Sequence, residues 1–249
     1  MRLTVVGCAG SYPNAMSPAS CYVIEHDGQR IVLDMGNGSL GALHSVFDPL
    51  APDSIQAVLL SHCHIDHCAD LASLFVARHH YGPRDLPRLV VYGPSDTKER
   101  LASIYGMRDP SLIDESFDLR VHQPTAEVGA FTITTAPAAH PVEAYSIRAT
   151  AGGHSITYSG DTGPTSTLVE LSHGTDIALF EASFVGHDNP PDLHMSGADA
   201  GRVAASANVG SLLLTHLVAR NDEVQVLDEA RAVFAGPIAV ARPALSLTV

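Results

Sequence analysis

Ala57-Val58-Leu59-Leu60-Ser61-His62-Cys63-His64-Ile65-Asp66-His67 is an apolar run that empties into four metal-ligating side chains within six residues. The apolar tetrad reads as a buried strand and the rest as a loop at its end. On extended chain the i, i+2 pair His62 and His64 points both imidazoles to one side. Asp66 and His67 face a neighbouring position once the chain turns. One short segment can therefore hold two cations a few ångströms apart, the arrangement used for displacement at phosphorus or carbonyl centres. A chain with 14 histidines shows chance clusters, but a His-x-His-x-Asp-His string at a strand end is a metal-site pattern.

The chain around this segment has 249 residues, 45% of them hydrophobic and 16% charged, enough for one large α/β domain. No linker or low-complexity tract divides it, so one domain over residues 1–249 is expected. No apolar stretch approaches the ~18 residues of a membrane-spanning helix. Met1-Arg2-Leu3-Thr4-Val5-Val6-Gly7 moves straight into a strand-like run without signal-peptide character, and the expectation is a cytoplasmic protein with no membrane partner. Cys8, Cys21, Cys63 and Cys68 show no Cys-x-x-Cys spacing and are expected as buried free thiols. Cys63 alternates to the side opposite His62 and His64, which assigns it to packing. The 14 Lys and Arg face 27 acids, a net charge of −13. Such a surface repels a long polyanion, whereas two cations in a cleft still attract a small phosphate compound.

Apolar patterning sets the order of elements. Strands are expected at Leu3–Cys8, Cys21–His26 and Arg30–Met35, the last two joined by a tight Asp27-Gly28 turn. A short helix near Leu40–Phe47, the Ala57–Ser61 strand, a helix from about Cys68 to His80 and the Leu89–Tyr92 strand follow. Ser95 or Asp96 can cap the next helix. A second half begins around Asp118, with strands at Leu119–His122, Phe131–Ala136, Tyr145–Thr150 and Ser155–Ser159. A helix at Ser166–Ser172, the Asp176–Phe180 strand, a helix capped by Ser196, the Ser211–Thr215 strand, a helix over Glu223–Phe234 and one short terminal strand complete it. Two packed sheets with helices outside are implied: an α/β protein built as a four-layer α/β/β/α sandwich.

Two metals need more than four protein ligands, and three further residues stand at strand ends. His140 follows Phe131–Ala136, Asp161 follows Ile156-Thr157-Tyr158 between glycines, and His216 closes Leu212-Leu213-Leu214-Thr215. In an α/β sheet the carboxyl ends of strands collect at one edge, where ligands bind. His79 and His80 suit the end of a helix by its dipole, and His26, His44, His122, His154, His173 and His187 lack partners at ligand spacing.

The ordered set Asp34, His62-x-His64-x-Asp66-His67, His140, Asp161 and His216 resembles the metallo-β-lactamase superfamily over essentially the whole chain. Glu181-Ala182-Ser183-Phe184, His194-Met195-Ser196-Gly197 and Leu214-Thr215-His216 are similar to late motifs of its ribonuclease Z-like branch. The resemblance implies the metallo-β-lactamase fold and two divalent metal ions. His62, His64 and His140 would hold the first, Asp66, His67 and His216 the second, and Asp161 would bridge them. Nitrogen and oxygen donors accommodate Zn²⁺, Mn²⁺ and Fe; Zn²⁺ is the expectation and Mn²⁺ the alternative. The resemblance also implies attack on phosphorus by a metal-bridging hydroxide. Asp66 would take part in the proton transfer, His194 would assist the leaving group, and Glu181 would hold the His194 imidazole. Asp34 reads as a support of the metal loop rather than a ligand.

Ribonuclease Z proteins carry a protruding arm that clamps tRNA. The stretch from His140 through Asp161 to Glu181 holds only short connections, and the chain is acidic. Gly7-Cys8-Ala9-Gly10-Ser11, Tyr92-Gly93-Pro94-Ser95-Asp96-Thr97, Tyr158-Ser159-Gly160-Asp161-Thr162-Gly163 and Pro190-Pro191-Asp192-Leu193-His194-Met195 are similar to the atypical class II cyclic-nucleotide phosphodiesterases of high-GC Gram-positive bacteria. That resemblance implies hydrolysis of 3′,5′-cyclic AMP to 5′-AMP by a homodimer. The alternatives are a ribonuclease Z-like nuclease or another small cyclic-phosphate phosphodiesterase. A carbonyl hydrolase, either lactonase or β-lactamase, stands behind these.

Overall fold

Ile31, Leu33, Ala57 and Leu59 point to one side of their strands and Val32 and Val58 to the other, and all six are buried. Strands apolar on both faces must lie inside a stack of layers. The computed structural model describes residues 1–83, 85–186, 189–190 and 192–249, and shows that stack. His187 and Pro191, both weighed in the sequence reading, lie outside the described residues.

The first of two seven-stranded sheets holds β1 (Arg2–Gly7), β2 (Cys21–His26), β3 (Gln29–Leu33), β4 (Ala57–Leu59), β5 (Leu89–Gly93) and β6 (Phe117–Val121) in that order. The second holds β7 (Thr125–Val128), β8 (Phe131–Pro137), β9 (Tyr145–Ala151), β10 (His154–Tyr158), β11 (Ile177–Glu181), β12 (Ser211–Thr215) and β13 (Ile238–Val240). The last strand, β14 (Ser246–Thr248), returns to the first sheet and pairs antiparallel with β1. β3 to β6 run parallel, as do β10 to β13, and the remaining neighbours are antiparallel.

Between the sheets lies a core that includes Leu3, Tyr22, Ile24, Leu59, Phe131, Tyr158 and Leu179. The helices α1 (Ser39–Leu43), α2 (Ile65–Val76) and α3 (Thr97–Tyr105) cover the outer face of the first sheet, packing Leu71, Leu74, Phe75 and Leu101 on Val23, Val58 and Val91. On the second sheet, α4 (Ser166–Ser172), α5 (Gly197–Ser206) and α6 (Glu223–Arg231) set Leu168, Val203 and Val226 against Ala178, Phe180 and Leu214. Each such buried aliphatic or aromatic side chain contributes about 1.5–3 kcal/mol relative to exposure. The expected four-layer sandwich is the observed fold. All four cysteines are buried free thiols, and no helix among the described residues is long and apolar enough to cross a membrane.

Several boundaries differ from the sequence reading. The helix expected from Cys68 starts at Ile65, so Asp66 and His67 sit in its first turn rather than on a loop. His64 holds the N-cap position with extended backbone and no side-chain cap, because its imidazole is engaged elsewhere. No Ser, Thr or Asp marks this start, so the capping rule has nothing to find. The helix ends in a π-helical turn, Ala77–Tyr81, which carries His79 and His80. The strand expected to open the second half is β6, an edge of the first sheet. The half-polar β7 was not anticipated, and two short terminal strands replace one.

The turn after β3 packs against the start of α2: Met35 N–H donates to His67 O (2.7 Å) and Asp70 N–H to Met35 O (2.9 Å). A Cβ on Gly36 would fall 2.0 Å from the Asp66 carbonyl oxygen. Gly36→Ala is therefore expected to cost roughly 1–3 kcal/mol, as overpacking does, and to lower bound metal at the same time. Thermal unfolding and metal analysis on one preparation check this; a stable variant with full metal content would contradict it.

Candidate metal centre

Six strand ends reach one edge of the sandwich. β3 delivers Asp34 and β4 delivers His62 and His64. The connection after β8 delivers His140, β10 delivers Asp161, β11 ends on Glu181 and β12 is followed by His216. Asp34 and His216 sit at φ 57° and 56°, left-handed conformations that turn the chain sharply and that non-glycine residues seldom adopt. Gly10 allows the β1–β2 connection to touch His216, since a Cβ there would lie 2.3 Å from the His216 carbonyl oxygen.

Two groups of donors stand side by side, His62 with His64 and His140, and Asp66 with His67, Asp161 and His216, while a third, Glu181 with His194, shares His216; within each the ligand atoms lie within 4.8 Å of one another. In the first group His64 Nδ1 is 3.0 Å from His62 Nε2 and 3.2 Å from His140 Nε2. In the second, His216 Nε2 is 3.1 Å from His67 Nε2 and 3.1 Å from Asp66 Oδ2. Asp161 faces both: Oδ1 lies 3.3 Å from His67 Nε2 and 3.4 Å from His216 Nε2, and Oδ2 lies 3.8 Å from His62 Nε2.

The outward nitrogens decide what these contacts mean. His67 Nδ1 donates to Asp34 Oδ2 (2.8 Å) and His140 Nδ1 to the Leu193 carbonyl (3.0 Å). The Ser61 hydroxyl gives its proton to Asp34 Oδ2 (2.8 Å), so it accepts from His62 Nδ1 (3.1 Å). The Ser183 hydroxyl donates to His216 O (3.0 Å) and accepts from His216 Nδ1 (2.8 Å). With Nδ1 of His62, His67, His140 and His216 engaged outward in this way, each Nε2 is turned inward, where it can ligate a cation. Ring nitrogens and carboxylate oxygens thus converge, and the buried Asp161 Oδ1 has no hydrogen-bond partner among the described residues. This donor set fits two divalent cations.

Electrostatics agrees with the fit. Burial holds the pKa of His62, His64 and His140 below the ordinary histidine value, which keeps these ligands neutral. Burial also opposes charge at His67, but the Asp161 and Asp34 carboxylates outweigh it and draw its pKa well above that value. Burial raises Asp66 and Asp161, yet the surrounding imidazoles hold both below the carboxylate range. The second group is a place where the chain's own charges call for a cation.

His194 stands beside the two groups. Its Nδ1 donates to Glu181 Oε1 at 2.8 Å, while its Nε2 makes no hydrogen bond among the described residues. Glu181 is fully buried and also accepts from Thr162 N (2.8 Å) and Ser183 N (3.2 Å), so both its oxygens are occupied. Burial works against a His194 imidazolium, but Glu181 prevails and raises its pKa. Outside lies a groove of about 330 Å³ whose walls include Ser11, Ile65, Arg100, Leu193 and His194. The structure brings together every residue singled out for ligation, places Asp34 behind them, and sets the Glu181–His194 pair at the groove. Sequence reasoning missed Ser61, Ser183 and the Leu193 carbonyl as orienting partners, the Tyr158 hydroxyl that donates to Asp34 Oδ2 (2.7 Å), and Ile65 and Arg100 as groove walls.

The profile of the β-lactamase superfamily domain matches residues 29–217. An uncharacterised protein of Mycobacterium leprae is 44% identical over 245 residues, 96% of this chain and 85% of that protein. The probable metallo-hydrolase YhfI of Bacillus subtilis is 31% identical over 248 residues, 97% of each chain. Its crystal structure superposes with a TM-score of 0.86, covering 99% of both chains. The short form of human tRNase Z superposes with a TM-score of 0.77 over 100% of this chain and 99% of that one; at 18% identity this shows a shared fold.

Without the cations, the converging ring nitrogens and buried carboxylates would lose most of their counter-charge. A ligand present at ~100 times its Kd contributes about 2.7 kcal/mol to stability, which for a chain of this size is roughly 5–10 °C in the unfolding midpoint. Chelation is expected to lower the midpoint by that order, and Zn²⁺ or Mn²⁺ to restore it. Scanning calorimetry with metal analysis is the check, and a midpoint indifferent to metal content would contradict the fit.

Proposed function

Because the chain belongs to the metallo-β-lactamase superfamily and is a metallo-hydrolase of that family, we propose that it hydrolyses a small phosphodiester, foremost 3′,5′-cyclic AMP to 5′-AMP. The observation that carries the reading is the Glu181–His194 pair beside the two donor groups. Two divalent cations there, Zn²⁺ or alternatively Mn²⁺, would activate a water and offset charge on the phosphoryl group.

The chain's own residues divide the remaining work. Asp66 is ionised and, though buried, lines the groove, and would take the proton of the attacking water. Glu181 holds His194 at Nδ1 and raises its pKa. In the imidazolium form so favoured, Nε2–H would donate to a phosphoryl oxygen or give its proton to the departing 3′-oxygen, leaving the neutral ring. An alkoxide is a poor leaving group and gains from such a proton. Ester carbonyl hydrolysis gains less at this position, which ranks a lactonase or β-lactamase lower. The groove of about 330 Å³ sits near the lower end of the roughly 300–1,000 Å³ of ligand pockets and suits a mononucleotide. The net charge of −13 weighs against a tRNA substrate, although the fold shared with tRNase Z keeps a nuclease as the second reading.

Metal-loaded protein assayed on cyclic AMP, cyclic GMP, a 2′,3′-cyclic nucleotide and bis-p-nitrophenyl phosphate tests this. Turnover of cyclic AMP to 5′-AMP is expected. Activity on the generic ester with none on any cyclic nucleotide would remove the specific substrate and leave the reaction class. His194→Ala is expected to lower kcat about 10²–10⁴-fold with metal content unchanged; an undiminished kcat would remove the proton-donor role.

A further inference from the structure

Two residues of the groove wall are left without a task by the chemistry above. Ile65 sits at the first helical position of α2 between two ligand-bearing residues, yet its aliphatic side chain is 58% exposed. Arg100 comes from α3, which packs beside α2, and lines the same groove. Its guanidinium makes no hydrogen bond among the described residues; the nearest carboxylate, Asp96 one turn back, is 3.7 Å away, and both side chains are about half exposed. An exposed pair at that spacing is weak and readily exchanged for a ligand contact. Among the described lining residues Arg100 is the one Lys or Arg, in a chain carrying −13.

We infer that Arg100 and Ile65 form a nucleobase subsite at the outer end of the groove, with the phosphate held at the donor groups. The inference rests on the small-phosphodiester reading for the class of ligand. A nucleobase presents an apolar face and an edge of ring-nitrogen acceptors. Ile65 offers a shelf for the face. The planar guanidinium, less strongly hydrated than an ammonium, stacks on heteroaromatic rings or donates to their acceptors. A second phosphate in place of the base would require more donors around it, and the wall beside Arg100 supplies an aliphatic side chain instead. Ile65 and Arg100 line the same groove as His64, Asp66, His140 and Asp161, so one ligand can touch both the shelf and the donor groups.

The test is calorimetric titration of metal-loaded protein with 5′-AMP and with ribose 5-phosphate, which share the phosphate and the sugar and differ in the base. In the wild type 5′-AMP is expected to bind about tenfold tighter, the size of one good stacking or cation–π contact. Arg100→Ala is expected to erase that difference while leaving ribose 5-phosphate within about twofold of its wild-type affinity. Arg100→Lys, which keeps the charge but loses the plane, is expected to recover little. Thermal unfolding and metal analysis of each variant confirm an intact fold and site. Equal affinity for the two ligands, no binding of 5′-AMP, or an equal loss of both in Arg100→Ala overturns the inference, the last by placing Arg100 on the phosphate. A failed phosphodiesterase reading shows separately, as absent turnover with the base-dependent difference and its Arg100 dependence intact.

Discussion

The Asp34 carboxylate, fully buried and remote from any lysine or arginine contact among the described residues, is the point on which the site turns. It accepts from Ser61 N (2.6 Å), the Ser61 hydroxyl (2.8 Å), the Tyr158 hydroxyl (2.7 Å) and His67 Nδ1 (2.8 Å). A buried carboxylate left unpaired costs several kcal/mol, so each of these donors is obligatory rather than ornamental. The four donors come from the end of β4, from β10 of the opposite sheet and from the first turn of α2. Fixing one carboxylate therefore fixes the spacing between the two sheets and the rotamer of a ligand. The Tyr22 and Tyr158 rings, 5.1 Å apart between centroids, stand side by side in the core beneath.

The other orienting contacts repeat this logic with weaker groups. The hydroxyls of Ser61 and Ser183 each donate one hydrogen bond, to Asp34 and to the His216 carbonyl, and accept one from an imidazole. Neither half of the chain contains a complete donor group: His62 and His64 need His140, and Asp66 and His67 need Asp161 and His216. Metal affinity and the packing of the two sheets are consequently one equilibrium, because the ligand atoms converge only when both halves are docked.

Much of this was legible in the chain, for physical reasons. Ligands at carboxyl ends of strands sit where alternation stops, so the apolar runs before His62, Asp161 and His216 announce them. Their convergence could be inferred because parallel neighbours bring those ends to one edge. The start of α2 was not legible, since a ligand occupies the capping position. The β7 and β14 strands are short and partly polar, and their pairing comes from tertiary context rather than pattern. The Leu193 carbonyl that orients His140 belongs to a backbone every residue possesses, and no sequence signal could name it. Arg100 and Ile65 escaped because their meaning depends on α2 and α3 lying side by side.

The helix α3 lines the groove through Arg100 but carries none of the donor groups, and this has a consequence for how such a protein changes over generations. The floor of the groove is built from backbone turns, buried serines and a shared carboxylate, where nearly every substitution disturbs several partners. Its outer wall rides on a nine-residue helix with one face in water. Substitutions there can retune what the groove admits while the floor keeps its geometry. A lineage built on this sandwich can thus drift between substrates in small steps, each carried by a residue that the chemistry itself does not need.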